Sequence, residues 1–342
     1  MSPKESRILA VTAVLAMAFG LSACVPVAAP NDPAPTTPTT TTPINGVVTT
    51  IPVVDGDPFG VAITPDGTKA YVTNLLSAGT VSVISTATNT VSATVTVGSK
   101  PRGVAITPNG AFAGKAYVTN SNSDTVSVID TATNAVVGLP ITVGNFPDGV
   151  AITPDGSNAY VTNYADGTVS VINTDTNLVV GLPITVGNFP NGVAITPDGT
   201  KAYVTNESSN NVSVIDTATN AVTTISVDSG SEVVAITPDG TKAYVTLSLG
   251  QVKVINTANG TVSAPITVGT QPLGVAITPD GTKVCVTNFQ DDTVSVITTA
   301  TGAVSATITV GGNPHGVAIT PDGTKAYVAN SNSTNVSVIR IA

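Results

Sequence analysis

Gly192-Val193-Ala194-Ile195-Thr196-Pro197-Asp198-Gly199, followed by Lys201-Ala202-Tyr203-Val204-Thr205-Asn206 and then Val212-Ser213-Val214-Ile215, is one copy of a pattern that the chain repeats seven times with small changes. The proline of its turn falls at Pro65, Pro108, Pro154, Pro197, Pro238, Pro279 and Pro321, so successive copies lie 43, 46, 43, 41, 41 and 42 residues apart. Each copy holds four short β-rich runs, as in Gly103 to Thr107, Lys115 to Asn120, Thr125 to Asp130 and Ala135 to Val143, between Gly, Pro and Asn turn signals. Four strands in about 40 residues predict one propeller blade. Residues 44–342 are therefore read as an all-β, seven-bladed propeller of four-stranded antiparallel blades.

The strand roles follow from residue types. Gly, Val, Ala and Ile in the first run are small enough to crowd around a central channel. Pro52, Pro140, Pro183 and Pro265 fall in the fourth run, and proline lacks the N–H that an interior strand donates, so this run is the outer edge. The last copy ends after its third run, Val336 to Ile341, whereas Asn45 to Val53 reads as a fourth run lacking the first three. Pairing the N-terminal strand into the last blade closes the ring and protects both open edges.

Tyr117-Val118-Thr119-Asn120, preceded by Gly103 to Pro108, resembles the YVTN β-propeller repeat family. The resemblance covers all seven copies. Its four letters stand intact at Tyr71, Tyr117, Tyr160 and Tyr203, and the last three copies depart to Leu247, Cys285 and Ala329 at one position each. It implies a surface-layer or envelope protein; wider relatives include seven-bladed lactonases and lyases, so it constrains location better than chemistry.

The N-terminus supports that location. Lys4 and Arg7 precede an apolar run from Ile8 to Gly20, short of the ~20 residues that span a bilayer, which reads as a signal peptide over residues 1–23. Leu21-Ser22-Ala23-Cys24 resembles a bacterial lipobox, making Cys24 the expected lipidation site, with plain secretion as the alternative. Residues 24–43 are a Pro/Thr-rich linker that builds no core and, extended at ~3.1 Å per residue, reaches roughly 60 Å. The expected location is extracytoplasmic, on the cell surface or in the periplasm. Removing the signal leaves 20 acidic and 10 basic residues, which argues against nucleic acid as a partner.

Chemistry is sparsely signalled. The chain has one His, His315, and Cys285 besides Cys24, so neither a catalytic triad nor a Cys-rich zinc cluster can be assembled. Cys285 stands where other copies carry Tyr and reads as packing between blades. The repeated Asp of the Pro-Asp-Gly turn reads as turn chemistry rather than a calcium ring. No cofactor is expected, and the ring is read as a monomer.

The repeats differ on one face only. The Thr-Pro-Asp-Gly and Thr-Ala-Thr-Asn turns share a nearly constant face. The opposite face carries Pro-x-Gly, read as a loop before the first strand, where x is Phe59, Arg102, Asp148, Asn191, Glu232, Leu273 or His315. The loop after the second strand adds Leu75, Tyr164, Glu207, Phe289 and Gln290. Two readings stay open: x is a tolerant surface position, or the seven residues ring the channel mouth as a binding site. Blade 5 departs most, with Ser231-Glu232-Val233 in place of Pro-x-Gly. The preferred function is a non-enzymatic scaffold for a protein or envelope polymer. The alternative is a lactonase- or lyase-like enzyme in which His315 is a general base and Glu232 or Asp148 holds a divalent metal.

Overall fold

Each repeat folds into one antiparallel sheet in which consecutive strands are hydrogen-bonded neighbours. The computed structural model describes residues 46–341 apart from 54, 55 and 229, and its regular structure there is entirely β. The expected signal peptide, Cys24 and the linker lie outside the described residues. Blade 1 consists of Pro58–Ile63, Lys69–Asn74, Thr80–Ser85 and Thr90–Thr96. First strands of neighbouring blades touch all the way round: Pro58–Ile63 meets Pro101–Ile106 of blade 2 on one side and Pro314–Ile319 of blade 7 on the other.

The ring closes as its sequence requires. Gly46–Pro52 lies antiparallel against Asn335–Arg340, with Ile51 opposite Val336, and becomes the outer strand of blade 7. Ile51 and Val53 are 2% and 4% exposed and pack with Ala70, Val72, Tyr327 and Ala329 across the seam. Burial of such an aliphatic side chain stabilises by ~1.5–3 kcal/mol, so the seam is held by apolar contact as well as by strand pairing.

The letters of the repeated Tyr-Val-Thr-Asn have separate tasks. Tyr is buried between blades, and Tyr71, Tyr117 and Tyr327 each donate a 2.7 Å hydrogen bond to an Asn of the next blade's constant turn, Asn134, Asn177 and Asn89. Those Asn residues occupy the left-handed region, with φ of 53° to 56°, which Asn tolerates better than most residues. Val fills the core between sheets. The Asn amide staples the second and third strands, as Asn288 does to Thr293 and Ser295 at 2.9 Å. Cys285 takes the Tyr position in blade 6 and packs among Val294, Val296, Val317 and Ala326; burial pushes its thiol up to about 12.

The constant-face aspartates are satisfied within their own turns. Asp198 accepts the Thr196 hydroxyl at 2.5 Å and the Thr200 amide at 3.0 Å, which holds its carboxyl below the usual range.

The structure corrects two boundaries. The fourth strand of blade 2 is not continuous over Ala135 to Val143; it breaks into Ala135–Val136 and Ile141–Thr142, because Gly138 turns with φ 72° and Pro140 cannot donate. Blade 3 breaks likewise, and the two breaks leave Leu139 and Leu182 exposed. Pro-x-Gly, moreover, is not a loop before the first strand. It is the strand's own start, distorted by a bulge: in blade 1 Pro58 pairs with Asn74 and Val61 with Val72, so the register slips across Phe59 and Gly60.

Candidate functional site

The bulge at the start of each first strand places x at one end of the channel. In six blades glycine follows x, where neighbouring blades approach too closely for a side chain: a Cβ on Gly274 would lie 2.3 Å from the His315 carbonyl oxygen; blade 5 carries Val233 at this position instead. The Thr of Tyr-Val-Thr-Asn then fixes the next blade's x. Thr73 donates to the carbonyl of Arg102 and Thr119 to that of Asp148, both at 2.6 Å, while each accepts its own blade's glycine amide at 2.8 Å.

All seven x residues, Phe59, Arg102, Asp148, Asn191, Glu232, Leu273 and His315, line one cavity of about 490 Å³. None is exposed to the extent a tolerant surface position would be: Asp148 and Glu232 are 4% and 9% exposed, and the other five are half-buried. The second loop contributes Tyr164, Glu207 and Phe289 to the wall, whereas Leu75 and Gln290 do not line it.

The residue preceding Pro-x-Gly was missed in the sequence. Phe146 and Gln271 both line the cavity from this position. Lys100, Phe146, Phe189, Gln271 and Asn313 hold it with φ between 49° and 55°, a left-handed conformation that costs a bulky residue of order 1 kcal/mol or more. A backbone bond offsets that strain, since the Phe146 carbonyl accepts the Tyr164 amide at 3.0 Å and the Gln271 carbonyl accepts that of Phe289 at 3.0 Å. Variation between repeats, the signal that singled out x, is equally strong one residue before the proline.

Side chains in the mouth form three polar pairs and an aromatic arc. The Arg102 guanidinium lies between the Phe59 and Phe146 rings, 4.9 and 4.8 Å from their centroids, with Nη1 2.6 Å from Asp148 Oδ2. Asn191 donates to Glu232 at 2.9 Å, and the Tyr164 hydroxyl donates to Glu207 at 2.8 Å. His315 is packed against Phe59 and Phe289, with ring centroids 4.3 and 4.8 Å away.

Protonation follows from this packing. Burial raises the Asp148 carboxyl, opposed by Arg102. Burial pushes Glu232 up to about 7, helped by the negative charges of Glu207 and Asp148 and opposed by the Asn191 hydrogen bond. His315 is held down to about 4 by burial and by Arg102, so it is neutral near pH 7.

These contacts bear on the metal and base alternatives. Asp148 is engaged by Arg102 and Glu232 by Asn191, and among the described residues no group of three or more His, Cys, Asp or Glu is placed to hold a metal ion. His315 points into the aromatic arc rather than into solvent, and its side chain has no hydrogen-bonded acid among the described residues.

Comparison with known proteins agrees with the architecture. The family match is to seven-bladed propellers. The family model described as Lactonase, 7-bladed beta-propeller matches residues 194–342, less than half of the chain, a stretch carrying Glu232, Leu273 and His315 but not the other four x residues. A solved structure titled Kuenenia stuttgartiensis Hydrazine Synthase is similar with a TM-score of 0.75 and 27% identity, over 85% of this chain and 97% of that one. No curated protein matches significantly.

Proposed function

We propose that the protein is a binding propeller that takes its ligand at the channel mouth and does not transform it. The observation that carries this is convergence: seven residues far apart in sequence, different in every blade, line one cavity built on an otherwise repetitive ring. Its polar groups are engaged in holding one another, which suits a preformed binding surface. The four-letter repeat supports assigning the chain to the YVTN type within seven-bladed propellers. The signal-like N-terminus and Cys24 support a lipid-anchored, extracytoplasmic protein that displays the mouth to an envelope protein or polymer.

The test is capture from envelope extract by the full chain carrying Glu207→Gln and Phe289→Leu, against Thr219→Ala on the constant face. Loss of the captured partner in the first variant only is the expected result. Equal capture by both proteins would remove the mouth as the site.

One observation favours a second reading. The lactonase-type match includes Glu232, whose carboxyl, pushed up to about 7, has the basicity of a general base at neutral pH. Hydrolysis of a lactone panel that disappears in Glu232→Gln would establish it.

A further inference from the structure

The mouth already holds one cation, and the manner of holding it shows what the neighbouring blades lack. Arg102 lies between two aromatic rings and against one carboxylate. Glu207 and Glu232 stand in the same cavity, yet the hydrogen bonds to their side chains among the described residues come from neutral groups, the Tyr164 hydroxyl and the Asn191 amide. Both bonds go to Oε2. The second oxygen of each carboxylate accepts no hydrogen bond among the described residues. The cavity lining thus carries three carboxylates against one guanidinium.

Carboxylates in a partly dehydrated cavity are unfavourable until a cation joins them, and an aromatic wall favours the same charge. An inorganic ion needs several oxygen ligands drawn together, and no such cluster exists among the described residues. A larger, softer cation needs only a roomy pocket with carboxylates and rings on its walls.

We propose that the mouth binds an organic ammonium group, a protonated or quaternary amine, against the Glu207 and Glu232 carboxylates and beside the Tyr164 ring. This rests on the binding reading above and names its ligand chemistry. The amine comes either as a free small molecule or as the lysine side chain of a partner protein. Binding stabilises ionised Glu232, whose carboxyl otherwise titrates at about 7. Below that pH the cation must displace a proton, so affinity rises with pH and a proton is released near neutrality.

The experiment is calorimetric titration of the full chain, in detergent, with choline, spermidine and a lysine-containing peptide at pH 6 and pH 8. Glucose and phosphate serve as neutral and anionic probes. The expected result is binding of at least one ammonium probe, tighter at pH 8, and about tenfold or more weaker in Glu232→Gln. Choline or spermidine binding assigns a free amine, whereas peptide binding alone assigns a partner's lysine. Glu207→Gln, at a less buried side chain, reads the same charge if Glu232→Gln fails to fold. Absence of ammonium binding, or binding unchanged in both variants, overturns the proposal. Glucose or phosphate binding that Phe289→Leu abolishes would then leave the mouth a binding site for another chemistry. Failure of the binding reading itself shows separately, in undiminished capture from extract by the mouth variant.

Discussion

Thr205 of blade 4 donates its hydroxyl to the carbonyl oxygen of Glu232 in blade 5, 2.7 Å away, while accepting the Gly192 amide at 2.9 Å. A constant residue of the repeat thereby positions a variable one. Six blades make this link; Thr162, Thr246 and Thr287 reach Asn191, Leu273 and His315 at 2.7, 2.8 and 2.6 Å. Blade 7 has Ala329 instead and makes no such bond to Phe59.

Ala329→Thr should supply the missing bond at the seam and stabilise the ring by about 1 kcal/mol, whereas Thr205→Val should cost about 1–3 kcal/mol by leaving polar backbone groups short of a partner. Denaturant unfolding of both variants checks this. A destabilised Ala329→Thr would show that the seam packs too tightly for the hydroxyl.

Deletion of residues 44–53 should leave Asn335–Arg340 as a bare edge and remove Ile51 and Val53 from the seam core. Aggregation and loss of several kcal/mol are expected. A monomeric deletion variant melting with wild-type cooperativity would contradict the closure account.

Stability should depend on pH through Glu232. Its carboxyl titrates at about 7 in the fold against 4.5 ordinarily, so between those values the folded chain holds more protons than the unfolded chain. The Glu232 contribution is therefore fully favourable below about 4.5 and fades as pH rises through 7. His315, held down to about 4, acts in the opposite direction over part of the range. Glu232→Gln should remove the first effect, giving a variant that gains stability over wild type as pH rises from 5 to 8. Parallel melting curves for the two proteins across that range would exclude a raised Glu232.

The ring was legible because each blade restates the same local rules. Pro52 marks an outer edge, the Pro-Asp-Gly turn reverses the chain, and the orphan strand at Gly46–Pro52 finds its gap in blade 7. The mouth was legible only as a list of positions, since variation identifies where residues differ but not how deeply they lie. For Arg102, Glu232 and His315 the sequence leaves a tolerant surface position open as one of two readings. Their burial corrects this: Arg102→Ala would strand the Asp148 carboxylate, 4% exposed, without its cation, a loss of several kcal/mol. Phe146 escaped notice because its role depends on a left-handed backbone that no residue type announces.

If Cys24 carries the proposed lipid anchor, Cys24→Ala should release the protein from membranes or stall its processing. Fractionation into detergent-soluble membrane is the measurement. Wild-type retention of the variant would contradict lipid anchoring.

The claim that the ligand sits at the variable mouth is tested most directly by site-specific photocrosslinking in intact cells, with a photoreactive side chain placed at Phe289 and, on the opposite face, at Ala218. An adduct that mass spectrometry identifies and that added ligand suppresses is expected at position 289, and none at position 218. Adducts formed at 218 and absent at 289 would contradict it.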